Sequence, residues 1–218
     1  MKSLELIIFD CDGVLVDSER ITNQILATML NELGIPVTME YMFEHFVGRS
    51  MAQDMELINV LLGAPPPSDF VENFRRRTGA ALAASLKPVA GIEFVLDQID
   101  LPYCVASSGD HQKMQTTLGI TGLLPRFAGK LFSVKEVANP KPAPDVFLLA
   151  AQRNGIAPST CLVIEDTPTG VTAAVAAGMT VFGYSALTPA YRLSAAGAHR
   201  VFDSMFALPA LIKNAALL

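Results

Sequence analysis

Two carboxylates, those of Asp10 and Asp12, stand two residues apart directly after an apolar run at residues 4–9. A run of this length, rich in β-branched and aromatic residues and ended by Asp12-Gly13, is typical of a buried strand followed by a turn. Ligands bind at the carboxyl ends of the strands in open α/β sheets. The spacing therefore suits acid–base or nucleophilic chemistry, although Asp-x-Asp-Gly by itself is also an ordinary turn.

Two later strand-like runs also end in polar side chains, a serine pair after the first and an acidic pair after the second: Ser107 and Ser108, then Glu165 and Asp166. The carboxyl ends of parallel strands meet at one edge of a sheet, so we expect these side chains to lie near the first aspartate pair. Each pair also has a structural alternative. Serines are common in turns, and acids at the start of a helix suit its dipole.

A lysine flanked by prolines is the fourth feature, because Lys141 lies in the segment Asn-Pro-Lys-Pro-Ala-Pro-Asp at residues 139–145. Prolines stiffen the backbone and block helix formation. The ammonium of Lys141 is thus expected to point in a defined direction. The alternative is a solvated loop lysine.

Phosphoryl transfer requires a nucleophile, a divalent cation, donors for the phosphate oxygens and a group that carries protons. A carboxylate can be the nucleophile and form an aspartyl-phosphate, and Mg²⁺ prefers oxygen ligands. The candidates divide into metal ligands, phosphate donors and an acid–base group: Asp10, Glu165 and Asp166 for the metal, Ser107 and Lys141 for the phosphate, Asp12 for proton transfer.

The surrounding pattern predicts an α/β fold, with a Rossmann-like parallel sheet interrupted by an all-helical cap domain. Residues 18–86 carry apolar side chains at helical spacing and no strand pattern, whereas strands and helices alternate after Pro88. Such alternation implies parallel strands with right-handed crossovers. We predict a core domain at residues 1–15 and 88–218, and a cap domain of about four helices at residues 16–87.

These motifs, in this order, resemble the haloacid dehalogenase superfamily of phosphotransferases. The likeness rests on Asp-Cys-Asp-Gly-Val-Leu at residues 10–15, on Ser107, on Lys-Pro-Ala-Pro-Asp at residues 141–145 and on Glu-Asp-x-x-x-Gly from residue 165. It covers essentially the whole chain. The branch with a helical cap, similar to β-phosphoglucomutase and to sugar-phosphate phosphatases, fits best.

The resemblance implies a role for each matching position. Asp10 would attack phosphorus, and Asp12 would protonate the leaving group, activate water and place its backbone carbonyl on Mg²⁺. The phosphate would be held by Ser107, Lys141 and the adjacent Ser108, and Asp166 with Glu165 would complete the metal site. In the cap, the loop Gly48-Arg49-Ser50 is the candidate for binding the far end of the substrate.

A phosphatase and a phosphomutase would use the same residues. The mutase branch carries a cap histidine about ten residues after the first motif, where this chain has Thr22, and this difference favours hydrolysis. The segment Gly109 to Gly119, with Lys113-Met114-Gln115, is similar to a subgroup that acts on phosphorylated sugars and sugar acids. We therefore predict a Mg²⁺-dependent phosphatase for a small sugar phosphate or sugar-acid phosphate such as 6-phosphogluconate, with a mutase as the alternative.

Two other classes fit less well. A dehalogenase does not need Asp12 or the late acidic pair. A phospho-aspartate signalling module has its acidic pair on the first strand, its acceptor later and no helical insert, which is the reverse of the order found here.

Composition limits the binding partners and the cellular location that we expect. A net charge of -5, with no basic run beyond Arg75, Arg76 and Arg77, argues against nucleic acid, and those arginines are expected to form a solvated helix face. Three cysteines in strand-like runs indicate reduced thiols, and no apolar stretch suggests a signal peptide or a membrane span. We expect a cytoplasmic enzyme that is a monomer or a weak dimer and binds a small phosphorylated metabolite.

Overall fold

The computed structural model describes residues 4–49 and 51–215 and shows a parallel sheet with helices on both faces. Its six strands are β1 (Leu6–Phe9), β2 (Tyr103–Ser107), β3 (Leu131–Ser133), β4 (Cys161–Glu165), β5 (Thr180–Tyr184) and β6 (Arg200–Phe202). Its helices are α1 (Ser18–Glu32), α2 (Met39–His45), α3 (Met51–Leu62), α4 (Phe70–Ser85), α5 (Ile92–Gln98), α6 (His111–Ile120), α7 (Asp145–Asn154), α8 (Pro168–Ala176), α9 (Ala190–Ala195) and α10 (Leu208–Ala215). Within these ranges, no helix has the length and apolar character needed to span a membrane.

The strands lie in the order β3-β2-β1-β4-β5-β6, so the first strand of the chain is central. All five pairings are parallel. Phe9 is in register with Val105 on one side and with Ile164 on the other, which brings Asp10 level with the ends of β2 and β4. The strand order reverses at β1, and this is the position at which open α/β sheets form a ligand crevice.

Strand β1 is buried on both faces, which explains its continuous apolar sequence. Alternate residues face opposite sides of a strand. Ile7 and Phe9 join the apolar cluster on one side of the sheet, and Leu6 and Ile8 join the cluster on the other. Apolar packing on both faces thus fixes the register that carries Asp10 to the sheet edge.

Helices α1 to α4 form the predicted all-helical insert and have their own apolar core. Its buried members come from all four helices and the segment after α2: Leu26, Ala27, Met29, Leu30, Met42, Phe46, Ile58, Phe70 and Phe74. The Arg77 guanidinium of α4 donates to both carboxylate oxygens of Glu32 in α1 at 2.8 Å. One of the three arginines expected on a solvated face therefore links two cap helices.

The insert is joined to the sheet by two chain segments that lie side by side. Val16 forms an antiparallel bridge with Pro88, and the Asp17 amide donates to the Lys87 carbonyl at 3.0 Å. The predicted domain limits at residues 15–16 and 87–88 coincide with this paired crossing. They remain a prediction, and the crossing is consistent with them.

Helices α8 and α1 begin differently. Thr167 is the N-cap of α8, with Pro168 at the first helical position and the Thr167 hydroxyl accepting from the Gly170 amide at 3.0 Å. At α1, neither Asp17 nor Ser18 caps the helix through its side chain. The Ser18 hydroxyl donates instead to Asp12, a tertiary contact that local sequence rules do not contain.

Candidate active site

Lys141 joins the ends of the three central strands. Its ammonium donates to Asp10 Oδ1 at 2.7 Å, to Glu165 Oε1 at 2.7 Å and to the Ala106 carbonyl oxygen at 3.1 Å. An ammonium has three donors, so all of them are used. The structure thus brings together the side chains that the sequence placed at the ends of β1 and β4, although Lys141 lies on neither strand.

The proline-rich loop before α7 holds Lys141 in place. The carboxylate of Asp145 accepts from the Asn139 amide at 3.1 Å and from the Asn139 side chain at 3.0 Å, which closes the loop. The Lys141 side chain is 3% exposed, and its ammonium lies 4.7 Å from the centre of the Phe147 ring. The prediction of a directed lysine matches this geometry, and the alternative of a solvated lysine does not.

Burial and neighbouring charges together set the pKa values of Asp10 and Lys141. Burial raises the pKa of Asp10 to about 7; Lys141 opposes that rise, and Glu165 and Asp12 add to it. For Lys141, burial favours the neutral amine, but Asp10 and Glu165 hold its pKa above the usual range. The lysine is therefore a permanent cation at the sheet edge.

Both carboxylate oxygens of Glu165 have partners. Oε1 accepts from Lys141, and Oε2 accepts from the Thr167 amide and hydroxyl, each at 2.9 Å. The carboxylate lies against the first turn of α8, where Gly170 leaves the space that it occupies. Its role as a metal ligand remains a prediction, and these contacts favour a role as the partner of Lys141.

Asp166 differs from Glu165, because its buried Oδ1 has no hydrogen-bond partner in the described chain. Burial, reinforced by Glu165, Asp10 and Glu19, raises the pKa of Asp166 well above its usual range. Its Oδ2 lies 2.0 Å from the point where a Cβ on Gly13 would stand, so only glycine fits there. Gly13 also has φ +79°, which favours glycine.

This donor set fits Mg²⁺, a hard cation that takes one or two carboxylates together with carbonyls, water and phosphate. Asp10 and Asp166 would hold it with the Asp12 carbonyl, three of the four predicted ligands, and it would offset the charge of two acids whose pKa values are raised by burial and by their acidic neighbours. Across residues 4–49 and 51–215, no three His, Cys, Asp or Glu side chains converge as a metal cluster, and a site of two carboxylates does not require one.

The Asp12 carboxylate is held by two side chains that the sequence analysis did not assign to the site. Ser18 donates to its Oδ1 at 2.6 Å, and the Lys113 ammonium donates to its Oδ2 at 2.7 Å. Lys113 lies in the first turn of α6, the helix that follows the serine pair. The sequence signal that could have indicated Lys113 was its position shortly after the end of β2. Its segment was noted only for its similarity to a subgroup of phosphatases.

The two serines after β2 have different environments. Ser107 is buried, and its hydroxyl accepts from the Gly109 amide at 3.0 Å, a contact that shapes the turn into α6. Ser108 is exposed. The predicted roles of Ser107 on the phosphate and Ser108 on the substrate remain predictions, and burial at the sheet edge favours Ser107.

The cap loop contacts the core beside Asp166. The Thr169 hydroxyl donates to the Gly48 carbonyl at 3.2 Å, and Gly48 packs so closely on Thr167 and Pro168 that a Cβ would lie 3.2 Å from Thr167. Arg49 lies next, with Nε 3.6 Å from Asp54 Oδ1. Ser50, the third residue of the predicted substrate loop, lies outside the described residues.

A second contact holds the cap on the core. The Tyr191 hydroxyl donates to the Glu44 carboxylate at 2.5 Å, and the Arg192 guanidinium donates to the Glu44 carbonyl at 3.0 Å. Both donors belong to α9, and Glu44 belongs to α2. Together with the Gly48 contact, these bonds place the cap loop over the carboxyl edge of the sheet.

Comparison with known proteins agrees with this geometry. The family model of the haloacid dehalogenase-like hydrolases matches residues 7–184. The 6-phosphogluconate phosphatase of Escherichia coli K12 is 33% identical over 187 residues, which are 85% of each chain. The prediction of the family from its motifs is confirmed.

Solved structures extend the likeness to the whole fold. A haloacid dehalogenase-like protein of unknown function from Agrobacterium tumefaciens is 35% identical, with a TM-score of 0.93 over 98% of this chain and 99% of that one. A HAD-family hydrolase from Deinococcus radiodurans, crystallised with phosphate and sodium, is 30% identical, with a TM-score of 0.87 over 100% and 99%. The predicted fold class is confirmed.

The enzyme class follows from the family match and from the curated phosphatase that this chain resembles. The chain is a hydrolase of phosphoric monoesters. The acids and the lysine at the carboxyl edge of its sheet are the groups that such a reaction requires. The chain belongs to the haloacid dehalogenase-like hydrolase family.

Proposed function

We propose that this enzyme hydrolyses a small sugar phosphate or sugar-acid phosphate, such as 6-phosphogluconate, in a Mg²⁺-dependent reaction through an aspartyl-phosphate on Asp10. The observation that carries the proposal is the bond from the Lys141 ammonium to Asp10 at 2.7 Å at the reversal point of the sheet. The phosphate in the Deinococcus radiodurans structure and the name of the Escherichia coli relative support the same class of substrate.

The reaction has two steps. In the first, the Asp10 carboxylate forms a bond to phosphorus while the bond to the sugar oxygen breaks, and Asp12 gives its proton to that oxygen. In the second, water attacks the aspartyl-phosphate, Asp12 takes a proton from the water, and the Asp10 carboxylate is regenerated. Sugar alcohol and inorganic phosphate are the products.

Positive charge near the transferring group stabilises the transition state. Lys141 supplies it beside Asp10, and Glu165 keeps the lysine oriented from β4. Ser107, whose hydroxyl is buried at the same edge, would donate to a phosphate oxygen. When bound, Mg²⁺ would add further positive charge at the phosphate oxygens, held by Asp10, Asp166 and the Asp12 carbonyl.

Hydrolysis is favoured over phosphomutase chemistry. Thr22, in α1, stands where the mutase branch carries its cap histidine, and it cannot shuttle protons at neutral pH as an imidazole does. In the cap, Gly48 and Arg49 are the candidates for binding the sugar, because their loop is held above the carboxyl edge of the sheet. A guanidinium there suits a substrate with an acidic group.

The test is phosphate release from a panel of sugar phosphates and sugar-acid phosphates, with Mg²⁺ and with EDTA. We expect activity only with the metal, and less than about one part in 10³ of it in Asp10→Asn, because no nucleophile remains. Asp100→Asn, at an exposed position, is the matched control and should be fully active. Full activity of Asp10→Asn or in EDTA would refute the mechanism.

A product assay separates the two reactions. With glucose 1-phosphate, a phosphatase releases inorganic phosphate, whereas a mutase yields glucose 6-phosphate. We expect free phosphate. Accumulation of glucose 6-phosphate would assign the mutase reaction.

The cellular setting belongs to the same proposal. Cys11, Cys104 and Cys161 are buried free thiols, which supports a reducing compartment such as the cytoplasm. We propose a monomer or a weak dimer, which gel filtration across a range of protein concentrations would test.

A further inference from the structure

We propose that Lys113 is a positioning residue for proton transfer: its ammonium holds Oδ2 of Asp12 so that the other oxygen, Oδ1, faces the leaving oxygen of the substrate. The inference rests on the proposed function, because it assigns the proton to Asp12. Its basis is the Lys113–Asp12 bond of 2.7 Å between residues 101 positions apart.

Lys113 is anchored to the core on which Asp12 lies. Its backbone amide donates at 2.7 Å to Asp110, the N-cap of α6, and its carbonyl accepts from the Thr117 hydroxyl at 3.0 Å. Helix α6 follows β2, which pairs with the strand that carries Asp10. Lys113 and Asp12 therefore belong to one packed unit, and their distance does not depend on the position of the cap.

Ser18 provides the contrast. It is the first residue of α1 and lies beyond the crossing at Val16 and Asp17, so its bond to Oδ1 of Asp12 joins the cap to the core. A movement of the cap changes this bond and leaves the bond from Lys113 intact. Oδ1 is thus the oxygen that can be released to the substrate, and Oδ2 stays fixed.

The surrounding charges explain why an ammonium is needed. Glu19, one residue after Ser18, lies within electrostatic range of both Asp12 and Lys113. Without Lys113, Asp12 would face the acids Asp10 and Glu19 with no nearby cation of its own, and its carboxylate would turn away from them. A charged donor fixes a carboxylate more strongly than a neutral one does.

Lys113 and Lys141 differ in exposure to solvent. The Lys113 side chain is 47% exposed and lines a groove of about 310 Å³ between α4 and α6, whereas the Lys141 side chain is 3% exposed. Lys113 contacts the acid–base residue, and Lys141 contacts the nucleophile. The two lysines therefore act on different bonds of the first step: Lys141 beside the bond that forms, and Lys113 beside the bond that breaks.

A comparison of leaving groups tests the proposal. A sugar alkoxide needs a proton as it departs, whereas p-nitrophenolate departs without one. Hydrolysis of the aspartyl-phosphate uses Asp12 with both substrates, so the comparison is made on the single-turnover rate of leaving-group release, which reports the first step alone. In Lys113→Met we expect this rate to fall by about 10- to 100-fold with the sugar phosphate and by less than about 3-fold with p-nitrophenyl phosphate, since general acid catalysis contributes about 10²–10⁴-fold to a rate. Lys113→Arg should restore most of the loss, because the charge and donor are kept.

Two controls make the result specific. Lys213→Met, at an exposed position in α10, should change neither rate, and the thermal midpoint of Lys113→Met should confirm that it folds. Asp10→Asn should lose activity on both substrates. That result would support the proposed function whatever the outcome for Lys113. An equal loss on both substrates in Lys113→Met, or no loss on either, would overturn the role of Lys113 alone.

Discussion

The ammonium of Lys141 lies 2.7 Å from Oδ1 of Asp10, although 131 residues separate the two in the chain. The same ammonium bonds Glu165 on the neighbouring strand, so one cation balances two buried acids. Asp10, its counter-charge and the first turn of α8 are thereby linked by hydrogen bonds. Four consequences of this arrangement and of its surroundings can be measured.

Replacing Lys141 should remove activity and lower stability together. Lys141→Met leaves Asp10 and Glu165 as neighbouring buried acids, a situation that costs about 3–5 kcal/mol when a buried pair is broken. We expect kcat to fall by at least about 10²-fold, and the thermal midpoint to fall as well. Lys141→Arg should not rescue the rate, because three acceptors and the Phe147 ring enclose the ammonium.

The control for that change is Lys135→Met, a replacement outside the acidic cluster. It should leave kcat and the thermal midpoint unchanged. Wild-type kcat in Lys141→Met would show that the lysine has no part in the reaction.

Asp166 should govern the response to metal. Because burial and neighbouring acids raise its pKa, Asp166→Asn should raise the thermal midpoint of the metal-free protein at pH 8. A cation that binds only the folded state raises stability, so Mg²⁺ should raise the midpoint of the wild type and have little effect on Asp166→Asn. The measurement is differential scanning fluorimetry with EDTA or with Mg²⁺. An unaltered Mg²⁺ response in the variant would exclude Asp166 as a ligand.

Asp54 should make stability depend on pH. Asp54 is only 8% exposed, and this burial raises its pKa to about 7 although the nearby Arg49 lowers it. The ordinary value in an unfolded chain is about 3.9. Between these values the folded state binds more protons than the unfolded state, so this group lowers stability as the pH rises from about 4 to about 7.

Asp54→Asn removes this dependence. We expect it to be more stable than the wild type by at least about 1 kcal/mol at pH 8, or about 2–4 °C in Tm, and nearly equal to it at pH 4. Thermal unfolding at both pH values is the measurement, with Asp100→Asn as the exposed control. A difference that is the same at both pH values would contradict the assignment.

Two glycines in helices should respond in opposite ways to alanine. A Cβ on Gly170 would lie 1.7 Å from Glu165 Oε1, so Gly170→Ala must displace the partner of Lys141. We expect a loss of stability of at least about 2 kcal/mol and a large fall in kcat. A Cβ on Gly119, in α6, meets no atom within 4 Å, so Gly119→Ala should raise stability by about 0.5–1 kcal/mol.

Urea unfolding would measure the stability of both glycine variants, and phosphate release would measure their kcat. Their shared chemistry makes each the control for the other. Equal effects would show that the Glu165 carboxylate tolerates displacement.

The sequence by itself predicted the buried first strand, the parallel α/β class, the helical insert and six side chains at one edge of the sheet: Asp10, Asp12, Ser107, Lys141, Glu165 and Asp166. These followed from local physics, because an apolar run makes a buried strand and parallel strands present their carboxyl ends together. The proline-rich loop likewise indicated a directed lysine. Hydrophobic periodicity and turn residues indicate strands, helices and loops from patterns that are only a few residues long.

Only the tertiary structure decided which atoms meet. It directed the Ser18 hydroxyl and the Lys113 ammonium to Asp12, and it directed Glu165 to Lys141. Such contacts join residues that lie on separate elements, and their geometry depends on strand register, helix packing and the position of the cap. Local propensities do not contain these quantities, so the sequence indicated Asp10, Asp12 and Lys141 as site residues but not the contacts of Ser18 and Lys113 with Asp12.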